Sequence, residues 1–254
     1  MGFHHLDHYA HIAGPLTRVA PAARVLGTVQ LAVGAALLPL GAWPQMLALA
    51  TLVLLLAGLA RVPIPTLLLR SAAPLLFLAL ASAAVLVLAP GQVVARLGPL
   101  AITDQGALRV GSALGRGGPA ILAGVLLIST TRFPDLVDAL RALRLPAVVV
   151  AALGLAYRFL YLLADELTQL QRAAASRNAR AGAVSRRQLV AGLTASLLAR
   201  SLARSDRVHR AMLARGFTGT LPALHRHELD RAAWLDLGVL LLVVAAIVAS
   251  AYAW

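Results

Sequence analysis

The chain has no cysteine, so disulfides and thiolate metal ligands are both excluded. It has no lysine either: all 23 basic residues are arginine. Acids are few, with 10 Asp and Glu together, and aromatics make up only 5%. Charged residues are 13% of the 254, whereas a soluble domain of this size carries about a quarter. Apolar residues reach 60%, with a mean hydropathy of +0.81. This shortage of charge excludes an ordinary soluble enzyme and implies a polytopic helical membrane protein. The net charge of +13 reads as loops on one side of a lipid bilayer, by the positive-inside rule, with no nucleic acid as partner.

The N-terminal stretch Met1–His11 has four histidines and no apolar run, so it is not expected to be a cleaved signal peptide. His4, His8 and His11 share a helical face, and neutral imidazoles suit cobalt or nickel. Asp7 is the one nearby carboxylate, so these histidines read as a solvated lead-in, and no metal or cofactor site is assigned. His225, His227, Glu228 and Asp230 read as a polar loop.

Five segments are long and apolar enough to be spans: Val25–Leu40, Trp43–Ala60, Ser71–Ala89, Leu108–Thr131 and Ala232–Tyr252. Gly41-Ala42-Trp43-Pro44 is a turn-prone hinge. The spans hold no histidine, and Asp236 is their one carboxylate. A membrane-embedded protease or transferase needs more acid, base or nucleophile than that. In the fourth span Arg109 and Arg116 lie seven residues apart, on one face; they read either as functional residues inside the membrane or as side chains that snorkel to the outer interface, the second reading being favoured. Gly115, Gly117, Gly118 and Pro119 suggest a kink or close packing there.

A sixth apolar stretch, Leu145–Ala164, contains Arg158 and runs into Asp165-Glu166. Basic residues flank it on both sides: Arg132, Arg141 and Arg144 before it, and twelve arginines from Arg172 to Arg231 after it. A crossing there would put one basic region outside. The stretch is therefore read as a buried or interfacial helix that does not cross, with a six-span arrangement as the alternative. The expected divisions are 1–131 (membrane helices), 132–231 (a cytoplasmic or interfacial region) and 232–254 (a last span).

The basic arm carries two arginine triplets, Ser176-Arg177-Asn178 and Ala214-Arg215-Gly216, whose central arginines are 38 residues apart. Ala181-Gly182-Ala183 should break the first helix, and Ser185 should cap a second one running from Arg186 to Ala214. Gly216 is placed to stop that helix. A single arginine at a helix end is a favourable dipole partner. Two such triplets on adjacent amphipathic helices suggest a grip on a two-part partner.

These residues carry a resemblance. Asp7-His8-Tyr9-Ala10, Gly14-Pro15-Leu16, Thr130-Thr131-Arg132-Phe133-Pro134-Asp135-Leu136, Leu140 through Pro146, Tyr157-Arg158-Phe159, Asp165-Glu166 and Ala211 through Phe217 are similar to the CbiQ group. That group is the cobalt/nickel branch of the transmembrane T components of energy-coupling factor (ECF) transporters. Ser176-Arg177-Asn178 is the looser of the two signatures, with Ser and Asn where the pattern has Ala and Gly, and Arg180 rivals Arg177 for its role. The resemblance implies an all-α fold, a polytopic bundle with a cytoplasmic arm of amphipathic coupling helices. It implies a non-catalytic scaffold in a bacterial inner membrane, without a cofactor. The implied partners are two CbiO-like ABC ATPase subunits, a CbiM-like S component and a small CbiN-like subunit. Ser176, Arg177, Asn178, Ala214, Arg215 and Gly216 would couple to the ATPases. The sequence leaves open cobalt, nickel or a vitamin as substrate. A conventional ABC permease fits less well, because Asp165-Glu166-Leu167 is not followed by that family's loop pattern.

Overall fold

The computed structural model describes residues 19–88, 92–97, 100–177, 183–219 and 231–252. The N-terminal histidines, Asn178, Arg180 and the 225–230 polar loop lie outside those residues. The chain divides into two compact units, one made of His4–Ala142 with His227–Trp254, the other containing Leu143–Arg226. The fold is all-α and polytopic. Its helices are α1 (Pro21–Leu37), α2 (Trp43–Leu59), α3 (Ile64–Leu88), α4 (Asp104–Thr130), α5 (Phe133–Ala142), α6 (Ala147–Arg177), α7 (Ala183–Ala214) and α8 (Arg231–Tyr252).

In the first unit, proline starts two helices. Pro21 and Pro44 sit in the first turns of α1 and α2, where a missing N–H costs nothing. The α1–α2 connection turns at Gly41, whose φ of +82° suits glycine. Its N–H donates to Ser112 Oγ of α4, 3.1 Å away. Each of these two helices has 17 residues, about 25 Å of helix, so they are short spans. Among the described residues four helices are long and apolar enough to cross a membrane: α3, α4, α6 and α8. The apolar stretch expected to be interfacial is thus the front of a continuous 31-residue helix.

Pro119 lies buried inside a helix that stays unbroken from Asp104 to Thr130. The expected close packing is present: a Cβ on Gly115 would strike Met46, and one on Gly117 would strike Leu78. Before α4 a short antiparallel pair intervenes, β1 (Val93–Leu97) and β2 (Leu100–Thr103), with Leu97 opposite Leu100 and Arg96 opposite Ala101. Thr103 then caps α4, its Oγ accepting from Gly106 N–H at 3.2 Å.

The core of this unit lies among α1, α2, α4 and α8 and the start of α3. Ala35, Leu49, Val53, Ala57 and, from α3, Leu67 are fully buried there. Small residues bring α1 and α8 together: Gly27 faces Leu240, and Gly34 faces Val244 and Val248. Tyr252 donates to the Leu37 carbonyl at 2.7 Å. These three contacts advance together along both helices, so α1 and α8 run parallel. α4 runs the other way. Its last residues meet the start of α1, where Arg24 donates to Thr130 O at 2.7 Å and to Thr131 Oγ1 at 3.2 Å. Ala23 packs with Ala233 and Leu237 at the start of α8. The end of α4 and the beginning of α8 therefore lie at the same face of the unit. α5 packs on α1 at that face, through buried Val137 and Ala139.

Candidate functional site

The second unit consists of α6 and α7. Both are amphipathic, and α7 carries six arginines and Asp206 along 32 residues. It starts at Ala183, so Ser185 lies inside the first turn and is not the cap expected from sequence. First-turn N–H groups have no intrahelical partner in any case, and alanine is the strongest helix former, so the helix extends back past the serine.

The expected triplets are placed as follows. α6 ends at Arg177. Ser176 is exposed, and its hydroxyl donates to Ala173 O at 2.9 Å, within the last turn. Ala214 ends α7, and Arg215 and Gly216 follow it, both exposed. The second triplet has a defined stop geometry. Gly216 N–H donates to Leu213 O at 3.0 Å, and Phe217 N–H donates to Met212 O at 3.0 Å. This is a Schellman ending, which places Gly216 in the left-handed region at φ +79°. The glycine of Ala-Arg-Gly is thus the residue that lets α7 end there. The alanine is a small last residue. The arginine between them stands on the helix end beside carbonyls that have no intrahelical donor, where a cation is favoured.

Sequence reading did not foresee what ties the two helices together. Glu166 of α6, its side chain 12% exposed, accepts from Arg204 Nη2 at 3.0 Å and from Arg200 Nη1 at 3.5 Å. Arg200 and Arg204 are four apart and share a helix face, so one carboxylate takes both. Arg204 Nε is buried without a hydrogen-bond partner. One to three turns earlier, Tyr157 and Tyr161 join hydroxyls at 3.0 Å, with their rings edge to face at 5.1 Å.

The clamp also sets distances. Glu166 lies eleven residues before Arg177, and Arg204 eleven before Arg215. Each arginine is therefore about 16 Å of helix beyond the clamp. The link from Arg177 to Ala183 reaches at most about 21 Å. A right-angle crossing at the clamp would need roughly 35 Å between those two residues. The helices must run back along one another. Arg177 and Arg215 then stand on opposite sides of the clamp, on the order of 30 Å apart.

Among the described residues no group of three His, Asp or Glu is placed to hold a metal ion. What the site offers is two separated arginines on a braced pair of helices.

The comparisons with known proteins agree with this architecture. A family model described as "Cobalt transport protein", CbiQ, matches residues 14–226. The "Cobalt transport protein CbiQ" of Rhodobacter capsulatus is 31% identical over 160 residues. That stretch covers 61% of this chain and 64% of the relative, so the chain spans just under two thirds of the relative's length. With a match that takes in α1 through α7 and both triplets, the chain belongs to the CbiQ cobalt transport protein family.

Proposed function

We propose that this protein is the membrane scaffold, or T component, of an ECF-type importer for cobalt, in which α6 and α7 couple two ABC ATPase subunits to an S component. The observation that carries this reading is the braced helix pair, with Arg177 ending α6 and Ala214-Arg215-Gly216 ending α7. Two equivalent ATPases need two separated anchors. A guanidinium at each anchor makes several charge-assisted hydrogen bonds to carboxylates or helix-end carbonyls. Bringing the ATPases together would then press on both helices at once, and the clamp would pass that motion on as one rigid movement.

In this reading the arm lies in the cytoplasm and does not cross the membrane. α1 and α8 run parallel and α4 antiparallel to them, so the chain leaves α4 and enters α8 on one side. An even number of crossings must separate them. α6 is apolar enough for one, but the arginine-rich α7 is no second. The reading therefore has no crossing between α4 and α8, with five spans, an inner-membrane location and the basic arm inside. The scaffold catalyses nothing itself. CbiO-like ATPases hydrolyse ATP, and CbiM-like and CbiN-like membrane subunits handle the ion. A T component serving nickel or a vitamin is the second form of this reading, because substrate choice rests with the S component.

The test is uptake of radioactive cobalt by cells expressing this chain with an ATPase, an S component and a small CbiN-like subunit. Omitting this chain should abolish uptake and separate the ATPase from the membrane. Unchanged cobalt uptake without it would refute the scaffold role.

A further inference from the structure

Arg24 closes the corner through which the chain leaves the membrane helices. α4 ends at Thr130, Thr131 is its extended cap, and α5 begins at Phe133, so the chain turns sharply between them. A helix end leaves its last carbonyls without intrahelical donors. One of these, Thr130 O, is supplied from another helix: Arg24 Nη1 of α1 donates to it at 2.7 Å and to the buried Thr131 Oγ1 at 3.2 Å. The same guanidinium reaches back to the start of its own helix, with Nε and Nη2 donating to Val19 O at 3.1 and 2.9 Å. Asp135, in the first turn of α5, acts on its charge. One planar group thus ties the beginning of α1 to the end of α4, under the field of an acid of α5.

All of these contacts lie inside the first unit, whose chain runs to Ala142 before the second unit starts at Leu143. α5 is therefore the last helix before the arm, and a push arriving along the chain from α6 reaches the membrane helices through it. It has only 10 residues and packs on α1 through Val137 and Ala139. Apolar packing is non-directional and lets so short a helix slide, whereas hydrogen bonds at its base fix an angle.

We propose that Arg24 is a positioning residue for transport, a latch that fixes the α4–α5 corner to α1 so that movement of α5 carries α1 and α4 with it. The inference rests on the scaffold reading and adds the route by which the arm acts on the membrane helices. Arginine suits the place because its rigid planar fork meets Val19 O, Thr130 O and Thr131 Oγ1 at once. A lysine would keep the charge as a single point and lose that fork.

The experiment reconstitutes the full chain with its ATPase, S-component and CbiN-like subunits in vesicles and measures cobalt taken up per ATP hydrolysed. Arg24→Gln should keep both ATPases and go on hydrolysing ATP, while uptake per ATP falls about tenfold. Arg24→Lys should fall less, about threefold. Spin labels at the exposed Val29 of α1 and Ala142 of α5 should give a broader distance distribution in Arg24→Gln than in the unchanged chain. Thr131→Val removes one acceptor from the same corner while keeping its shape, and should lower uptake per ATP about two- to threefold. Uptake per ATP unchanged in Arg24→Gln, or in Thr131→Val where Arg24→Gln does not insert, would overturn the proposal. So would uptake and hydrolysis falling in proportion, which is what a purely structural role produces. Unchanged uptake without this chain refutes the scaffold; a fixed uptake per ATP in these variants, with uptake still dependent on the chain, refutes only the latch.

Discussion

Glu166 and Arg204 meet at 3.0 Å across α6 and α7, and each lies eleven residues ahead of the arginine at the centre of a triplet. One ion pair, shared with Arg200, thus fixes where both arginines stand. The chain spends one of its few acids on this contact, in a unit otherwise dominated by arginine.

The clamp should be separable from the anchors. Glu166→Gln keeps the shape but leaves two arginines facing a neutral amide. Losing charge-assisted bonds of this kind costs about 1–3 kcal/mol. Spin labels at Leu162 and Leu202 should then give a broadened distance distribution by pulsed electron resonance, while the chain still inserts normally. A distribution as narrow as in the unchanged protein would show that Glu166 does not brace the pair.

Gly216 should matter for its backbone. A side chain at φ +79° costs about 1 kcal/mol or more, so Gly216→Ala should fray the end of α7. Hydrogen exchange at Arg215, Gly216 and Phe217 should speed up. ATPase retention should fall in the direction expected for Arg215→Ala. Unchanged exchange would mean that the Schellman ending tolerates alanine.

Arg61 offers the reverse case. α2 closes with the same bond pattern, Val62 N–H to Ala57 O at 3.1 Å and Arg61 N–H to Gly58 O at 3.0 Å. Here an arginine occupies the left-handed position, at φ +56°. Arg61→Gly should relieve that strain and stabilise the protein by about 0.5–1 kcal/mol, after the entropy cost of the added glycine. The thermal midpoint in detergent should rise. A fall would show that the Arg61 side chain contributes more than its backbone costs.

Gly34 should be intolerant of any side chain. A Cβ there would run into Val244 across the α1–α8 contact, so Gly34→Leu should cost about 1–3 kcal/mol or more by overpacking. Gly58→Ala is the control, since nothing lies within 4 Å of a Cβ at that position. The thermal midpoint should fall for the first and hold or rise for the second.

Much of this was legible in the sequence, for reasons that can be named. The apolar helices follow from apolar length, and the end of α7 from a glycine placed after Ala214-Arg215. The family resemblance rested on Ala211 through Phe217 and on the 130–146 stretch, where side-chain identity carries the pattern. Other features escaped. The Glu166 clamp joins residues 34 and 38 apart, and no local periodicity reports such a pair. Its one signal was an acid preceding a basic arm that carries arginines four apart. The β1–β2 pair has a readable cue in Val93-Val94, Gly98-Pro99 and Ile102-Thr103, which hydropathy alone does not report. Pro119 does not end α4, which continues to Thr130 while packed against α1, α2 and α3. By contrast, the arm is expected to continue the Leu145–Ala164 stretch as helix up to the Ala181-Gly182-Ala183 break, and α6 does run through Arg158, Asp165 and Glu166 unbroken, since nothing there is a helix breaker.

The central claim is that Arg177 and Arg215 anchor one ATPase each. Its most direct test is the mass of the purified complex, measured with the unchanged chain and with Arg177→Ala, Arg215→Ala, the double change and Arg226→Ala. Truncating an arginine in a buried charge pair costs roughly 2–5 kcal/mol. Each single change should therefore yield complexes lacking one ATPase, the double change should lack both, and Arg226→Ala should keep both. Arg180→Ala should be milder than Arg177→Ala. Full complexes carrying two ATPases in the double variant, at the abundance seen for Arg226→Ala, would contradict the account.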